Sequence, residues 1–159
     1  HHHHPAGSFK YMSPERIQHM PYDYASDIWS LGLVLLECAS GKYPYPEATA
    51  QIAMVMTVTE GEPPLPPRDG GLYTPEFHDF LARCIAKDPR DRASAMDLLE
   101  SSWMERHEIF SLPDGIERVR EWMVEVGFKD EYAALKIPGA LPPGVLAASA
   151  AAGGGAGSA

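Results

Sequence analysis

Residues 24–41 read YASDIWSLGLVLLECASG, and this stretch decides the fold of the chain. Ser26 or Asp27 begins a helix there and Gly41 ends it, because short polar side chains cap helix N-termini and glycine favours the position after the last turn. The apolar residues between these signals point to every side of the helix, so other parts of a domain must wrap it. The stretch is too short, and too often interrupted by polar residues, to cross a bilayer, which takes about 20 apolar residues. We predict the central buried helix of a soluble helical domain, with Trp29 as a core anchor and Gly32 as a close-packing position.

The composition limits the partners and the compartment. The chain has 159 residues and a formal net charge of −9 at pH 7. It is long enough for one domain with a hydrophobic core, and it lacks the Lys and Arg clusters that nucleic-acid binding needs. No signal peptide or membrane span is recognisable. Cys38 and Cys84 both have apolar helical neighbours, so we predict two buried thiols in a cytoplasmic protein, with no disulfide and no metal site.

Further helices are predicted on both sides of the central one. Ser13-Pro14 opens a short helix, with Ser as the cap and Pro at the first position. Residues 48–59 form another helix with one shared face, made of Ile52, Val55, Met56 and Thr59. A Met-bearing face of this kind is more often core than a docking surface. Thr74-Pro75 begins a helix whose spacing predicts a core-facing stripe of Phe77, Phe80, Leu81, Cys84 and Ile85.

The C-terminal part contains two more helix signals and a tail. Ser94 and Asp97 form a capping box before a short packed helix that includes Leu98, Leu99 and Trp103. Pro113 and Asp114 begin a helix that Gly127 ends, and its predicted shared face consists of Ile116, Val119, Met123 and Val126. Residues 138–159 contain mostly Pro, Gly, Ala and Ser, so we expect a disordered tail.

Two low-complexity stretches have alternative interpretations. The four histidines at residues 1–4 indicate a tag remnant or a natural low-complexity tract rather than a metal-binding run. Pro63–Arg68 fits the P-x-x-P-x-R pattern that SH3 domains bind in polyproline II form. An ordinary proline-rich loop is the preferred interpretation, and a weak SH3 ligand is the alternative.

Three short motifs carry a resemblance to a known family. Ser13-Pro14-Glu15, Asp27-x-Trp29-x-x-Gly32 and Lys87-Asp88-Pro89-Arg90-Asp91-Arg92 resemble, in order and spacing, three signatures of the C-terminal lobe of eukaryotic protein kinases. The form of residues 11–16, with Ser where most kinases have Ala before Pro-Glu, is similar to the MAP kinase kinase branch of dual-specificity kinases. The resemblance implies a mainly α fold, namely the helical C-terminal lobe without the N-terminal lobe or the catalytic loop. In a whole kinase the catalytic-loop region also covers the helix at residues 28–38, so one side of this helix is expected to be exposed here.

The resemblance also divides the chain. It implies a His-rich leader or tag at 1–6 and a partial kinase domain at 7–104, beginning inside the activation segment. A C-terminal extension at 105–137 and the disordered tail at 138–159 follow. The extension is expected to pack on the lobe and to offer part of a docking surface for an upstream activating kinase. The helix at 48–59 corresponds to the one that faces docked protein substrates.

Residue roles follow from the same resemblance. Pro14 and Glu15 belong to the end of the activation segment, and Glu15 is expected to form a buried bidentate pair with Arg92. Asp27 corresponds to a residue that binds the catalytic loop, and without that loop only a local capping role remains.

Four residues near the N-terminus are expected to bind substrate. Ser8 matches a Ser or Thr that hydrogen-bonds the catalytic Asp and Lys. Tyr11, Met12 and Ser13 match the loop that shapes the pocket for the residue after the phosphoacceptor.

The catalytic machinery of a kinase is not found in this sequence. Phosphoryl transfer from ATP with Mg²⁺ uses a Gly-rich loop, a Lys, a His-Arg-Asp loop and an Asp-Phe-Gly motif. None of these motifs occurs in the 159 residues, so we predict no catalytic residue and no ATP-dependent activity for the chain alone. The complete protein is expected to phosphorylate Ser/Thr and Tyr of a MAP kinase. The alternative is a non-catalytic interaction module or pseudokinase fragment derived from a kinase.

Overall fold

The computed structural model describes residues 9–45 and 51–127. The chain divides into two compact units, His1–Arg106 and His107–Ala159, two residues beyond the boundary predicted between residues 104 and 105. The predicted leader, Ser8, the start of the helix at 48–59 and the predicted tail lie outside the described residues. The described parts contain α-helices and short 3-10 helices and no strand, which confirms the mainly α prediction for them.

Seven α-helices and two 3-10 helices make up the described secondary structure. The first unit contains α1 (Pro14–Ile17), α2 (Ala25–Ser40), α3 (Gln51–Glu60), α4 (Pro75–Cys84), α5 (Ala95–Leu99) and α6 (Ser102–Arg106), with 3-10 helices at Arg68–Gly70 and Pro89–Asp91. The second unit contains α7 (Leu112–Glu125). No helix in the described ranges has the length and apolar character that a membrane span requires.

The predicted capping residues begin their helices as expected. The Ser13 hydroxyl accepts a hydrogen bond from the Arg16 amide at 3.3 Å at the start of α1. At the start of α4, the Thr74 hydroxyl accepts one from the Phe77 amide at 3.2 Å. The capping box of α5 is complete, because Ser94 and Asp97 each accept a hydrogen bond from the other's amide, at 3.1 and 2.9 Å.

Helix α2 begins one residue before the predicted start. Its N-cap residue, Tyr24, provides no side-chain hydrogen bond, and the Ala25 amide instead donates to Asp23 at 2.9 Å. The predicted end is confirmed, because Gly41 has φ 74° and its amide donates to the Glu37 carbonyl at 2.8 Å. Glycine adopts this left-handed conformation without steric cost.

The core forms where α2 meets α4. Trp29 and Leu33 on α2 are fully buried, as are Cys84 and Ile85 at the end of α4. A Cβ atom at Gly32 would lie 2.6 Å from both the Cβ of Cys84 and the Cγ2 of Ile85. The two segments can therefore approach this closely only because residue 32 has no side chain, which confirms the predicted close-packing position. The predicted stripe of α4 is also confirmed, since all five of its members are buried.

The opposite side of α2 is exposed. Leu31 is 41% exposed and Val34 is 43% exposed, which confirms the expectation that one side of this helix is exposed in a chain without the catalytic-loop region. Cys38 is exposed as well, and its predicted burial is wrong, whereas that of Cys84 is confirmed. An all-round apolar pattern predicts that a helix can be covered on every side, but it does not supply the covering segment.

Helix α3 buries a different face from the predicted one. Ile52 is 75% exposed and Met56 is 54% exposed, whereas Val58 is only 2% exposed and lies in a cluster with Ile17 of α1. The interpretation of the shared Ile52 and Met56 face as core is therefore wrong. Val58 does not belong to the i, i+3, i+4 series that starts at Ile52, so the predicted face does not include it.

The remaining differences concern the C-terminal helices. Leu98 is buried, but Leu99 is 56% exposed, and the predicted single helix is divided between α5 and α6. Helix α7 ends before Gly127, which has φ 84°. On its predicted shared face Val119 is 55% exposed, so this face does not form a closed core among the described residues of the second unit.

Candidate functional site

A buried ion pair joins the start of the first unit to its far end. The Arg92 Nη1 and Nη2 atoms donate to the two carboxylate oxygens of Glu15 at 2.5 and 2.8 Å. The Arg92 side chain is 0% exposed and that of Glu15 is 6% exposed. A bidentate contact of this kind fixes both the distance and the orientation of the two groups. The structure thus brings together the two residues for which the sequence predicted this contact.

Backbone carbonyls take up the other hydrogen-bond donors of Arg92. Nε donates to Ala86 at 2.7 Å, Nη1 also donates to Ala25 at 3.0 Å, and Nη2 also donates to Lys87 at 3.0 Å. The five N–H groups of a guanidinium are then all satisfied. The guanidinium carbon also lies 5.2 Å from the centre of the Trp29 ring. Arg92 therefore links α1, α2 and the loop after α4 in one buried network.

Two serine hydroxyls complete the network on the side of Glu15. Ser26 donates to Glu15 Oε1 at 2.8 Å and lies 2.8 Å from the Ser13 hydroxyl. Burial raises the pKa of Glu15, but the hydrogen bonds from Arg92, its own amide and Ser26 outweigh this effect and lower the pKa from 4.5 to about 2. Ser13 was predicted among the substrate-binding residues, and its side chain is fully buried in this network.

Residues 9–12 form a loop that is held against α2. The Tyr11 hydroxyl donates to the Glu37 carboxylate, and the Ser30 hydroxyl donates to the Tyr11 carbonyl at 2.7 Å. The Met12 amide donates to the Phe9 carbonyl at 3.2 Å, which closes the turn. The hydrogen bond to Glu37 is the main cause that raises the pKa of Tyr11. The 9–12 loop therefore has a defined conformation, with Tyr11 and Met12 half-buried.

An aromatic group follows α2 and contacts the same loop. The Tyr43 hydroxyl donates to the Lys10 carbonyl, and its ring meets that of Tyr11 edge to face with centres 5.8 Å apart. The Lys10 ammonium lies 5.3 Å from the centre of the Tyr43 ring, and the centre of the Tyr45 ring lies 6.0 Å from the same point. Burial raises the pKa of Tyr43, and it raises that of Tyr45 to about 12.

Sequence reasoning missed Ser30, Glu37 and Tyr43. A signal existed for the first two, because they interrupt an apolar helix seven residues apart and therefore lie on the same face. No pattern indicated Tyr43. Asp27, for which only a capping role was expected, is exposed on the first turn of α2. Its carboxylate has no hydrogen-bond partner in the described ranges, whereas the Asp23 carboxylate, one residue before the N-cap Tyr24, accepts a hydrogen bond from the Ala25 amide.

The proline-rich segment has a turn inside it. The Leu65 amide donates to the Pro63 carbonyl at 2.8 Å, although a polyproline II helix has no internal hydrogen bonds. Arg68, the basic residue of the predicted SH3 motif, pairs with Asp79 at 2.8 Å on the surface. An SH3 domain would have to open this turn and separate this ion pair in order to bind the motif.

Comparisons with known proteins agree with the motifs. A family model of the protein kinase domain matches residues 1–104. Mitogen-activated protein kinase kinase 1 of Arabidopsis thaliana is 48% identical over 108 residues, which are 64% of this chain and 30% of that protein. Dual specificity mitogen-activated protein kinase kinase 7 of Homo sapiens is 35% identical over 131 residues, which are 79% of this chain and 30% of that protein. The chain thus spans about a third or less of the length of these relatives.

Proposed function

This chain belongs to the protein kinase family, and the helices of its first unit are those of the C-terminal lobe. From that membership we propose that the chain works as part of a cytoplasmic MAP kinase kinase, which transfers the γ-phosphate of ATP to Ser/Thr and Tyr residues of a MAP kinase. An upstream kinase would activate the whole enzyme. The names of the relatives support this assignment. The observation that carries it is the buried Glu15–Arg92 pair, which anchors the Ser-Pro-Glu motif to the helical core.

The chain's own part in this function is to anchor and to bind. The Glu15–Arg92 pair fixes the position of α1 and therefore also the point at which the preceding residues join the helical core. The 9–12 loop, which we propose contacts the protein substrate, directly precedes this anchor. Ser8, to which the resemblance also gives a substrate-binding role, is outside the described residues. The position of a substrate hydroxyl relative to ATP depends on such fixed elements, because phosphoryl transfer relies mainly on positioning and electrostatics.

The motifs with which kinases hold nucleotide and metal are not found in this sequence. Mg-ATP would supply the phosphoryl group in the whole enzyme, but the sequence has neither the His-Arg-Asp nor the Asp-Phe-Gly motif. The described residues contain no group of three or more His, Cys, Asp or Glu side chains arranged to hold a metal ion. We therefore propose that the 159-residue chain neither binds Mg-ATP productively nor transfers phosphate.

The test begins with the transcript upstream of the codon for His1. An in-frame His-Arg-Asp and Asp-Phe-Gly coding sequence is expected, and the longer protein that includes it should phosphorylate a MAP kinase. The Arg92→Met variant should lose that activity, whereas Arg90→Met should retain it, because Arg90 pairs only on the surface. A stop codon directly upstream, or a longer protein without activity, would contradict the proposal.

A second candidate function is a non-catalytic interaction module. The exposed apolar face of α3, with Ile52 and Met56, favours it, since such a face is available to a protein partner. The effect of nucleotide distinguishes between the kinase assignment and the interaction module. A thermal unfolding midpoint of the 159-residue chain that Mg-ATP does not change, together with activity of the longer protein, supports the kinase assignment. An inactive longer protein that still binds a partner through α3 supports the module.

A further inference from the structure

We propose that Tyr43 is a positioning residue for the 9–12 loop and, with Ser30, holds this loop in the conformation that receives the protein substrate. The inference rests on the proposed function, because it gives the loop a substrate. Neither residue belongs to the motifs that indicate the family. Both were found only from their contacts in the structure.

Tyr43 and Ser30 bind consecutive carbonyl groups of the loop. The Tyr43 hydroxyl donates to the Lys10 carbonyl, and the Ser30 hydroxyl donates to the Tyr11 carbonyl at 2.7 Å. The two carbonyls of one dipeptide are thus held from two separate elements, α2 and the segment after it. The Lys10 carbonyl belongs to the peptide plane between Lys10 and Tyr11, and the Tyr11 carbonyl belongs to the next plane, so the two contacts hold two successive rigid planes, one on each side of the Tyr11 Cα atom.

The side chains of the loop are fixed by the same residues. The Tyr43 ring meets the Tyr11 ring at an angle of 81°, which is the edge-to-face arrangement that aromatic pairs favour. The Lys10 ammonium also lies within cation–π distance of the Tyr43 ring, at 5.3 Å from its centre. Tyr43 therefore contacts the side chain and the backbone of the loop together, and it sets both the path of the chain and the direction of Tyr11.

The burial of these groups indicates a positioning role rather than a purely structural one. Tyr43 and Ser30 are only half-buried, and Lys10 is exposed. At such a position a tyrosine hydroxyl can hydrogen-bond to water as well as to protein, so the fold does not require this particular partner. What the contact adds is one fixed conformation of a loop at the surface.

Trypsin measures the conformation of the loop directly in the 159-residue chain. Cleavage after Lys10 requires the loop to leave α2, so its rate reports the open population when opening is fast. The Tyr43→Phe variant should raise this rate by about two- to ten-fold, the factor for one lost hydrogen bond. Cleavage after the remote Arg83 should not change. Tyr73→Phe is the matched control, because the Tyr73 hydroxyl also donates to a carbonyl of α2, that of Ala39 at 3.0 Å, away from the loop.

Steady-state kinetics of the longer enzyme then test the substrate role. Tyr43→Phe and Ser30→Ala should each raise KM for the protein substrate by a similar factor and leave KM for ATP unchanged, while Tyr73→Phe changes neither. Equal acceleration of cleavage after Lys10 and Arg83 would overturn the proposal, because it would show only general destabilisation. Equal KM values for Tyr43→Phe and Tyr73→Phe in an active enzyme would overturn the positioning role alone. A wild-type longer enzyme without activity would overturn the proposed function as well.

Discussion

Replacing Arg92 by Met tests how much the first unit depends on its buried ion pair. Met fills a similar volume but has no N–H group, so Glu15 keeps an ionised carboxylate whose side chain is only 6% exposed. Three backbone carbonyls, those of Ala86, Ala25 and Lys87, lose their donor at the same time. Removing one partner of a buried pair costs about 3–5 kcal/mol, because the other charge stays buried without compensation. This is a large part of the about 5–15 kcal/mol by which a typical domain is stable.

The assay is urea unfolding at pH 7, followed by tryptophan fluorescence and circular dichroism. Arg90→Met is the matched control, because the Arg90 side chain is 88% exposed and pairs only with Asp88, so its removal should cost at most about 1 kcal/mol. The double variant Glu15→Met/Arg92→Met should recover most of the loss, since an apolar pair leaves no charge behind. An Arg92→Met variant within about 1 kcal/mol of Arg90→Met would refute the reasoning.

Three further outcomes follow from the described contacts. The free energy of unfolding should fall as the pH drops from 4.5 towards about 2, because the pKa of Glu15 is lower in the folded than in the unfolded state. In an acid titration, the Glu15→Gln variant should show a weaker dependence of stability on pH. Gly32→Ala should destabilise the chain by about 1–3 kcal/mol in urea unfolding, because its Cβ would lie 2.6 Å from Cys84 and Ile85. Ser94→Ala should cost about 1 kcal/mol in the same measurement, since it removes the cap of α5, and an unchanged midpoint would contradict this.

Local signals in the sequence predicted most of the helix boundaries. Ser13, Thr74 and Ser94 cap their helices as predicted, and Gly41 ends α2. These signals work because a cap depends on residues within one turn of each other, which the sequence shows directly. Helix α2 begins one residue before the predicted start, because the Asp23 carboxylate, which precedes the N-cap Tyr24, accepts a hydrogen bond from the Ala25 amide.

The direction of burial was harder to predict than the elements themselves. Periodicity identifies the apolar face of a helix, but it does not say which neighbouring element covers that face. Helix α4 has a single apolar stripe, and its prediction is confirmed. Helix α2 is apolar all round, so its periodicity does not distinguish the exposed Cys38 from a buried thiol. In α3 the burial of Val58 depends on the position of α1, which no local pattern contains.

The contacts between distant residues differ in whether the sequence could predict them. The Glu15–Arg92 pair spans 77 positions, and only the resemblance to protein kinases predicted it, since neither residue has a local feature that indicates the other. The contacts of Ser30 and Tyr43 with the 9–12 loop were not predicted at all, because the quoted motifs do not include them. Yet both sets of contacts hold the same segment, one at α1 and the other at the loop before it. A family motif therefore locates the anchor of this segment, and the spacing of Ser30 and Glu37 marks a polar face of α2. Only the folded structure shows that this face and Tyr43 hold the loop.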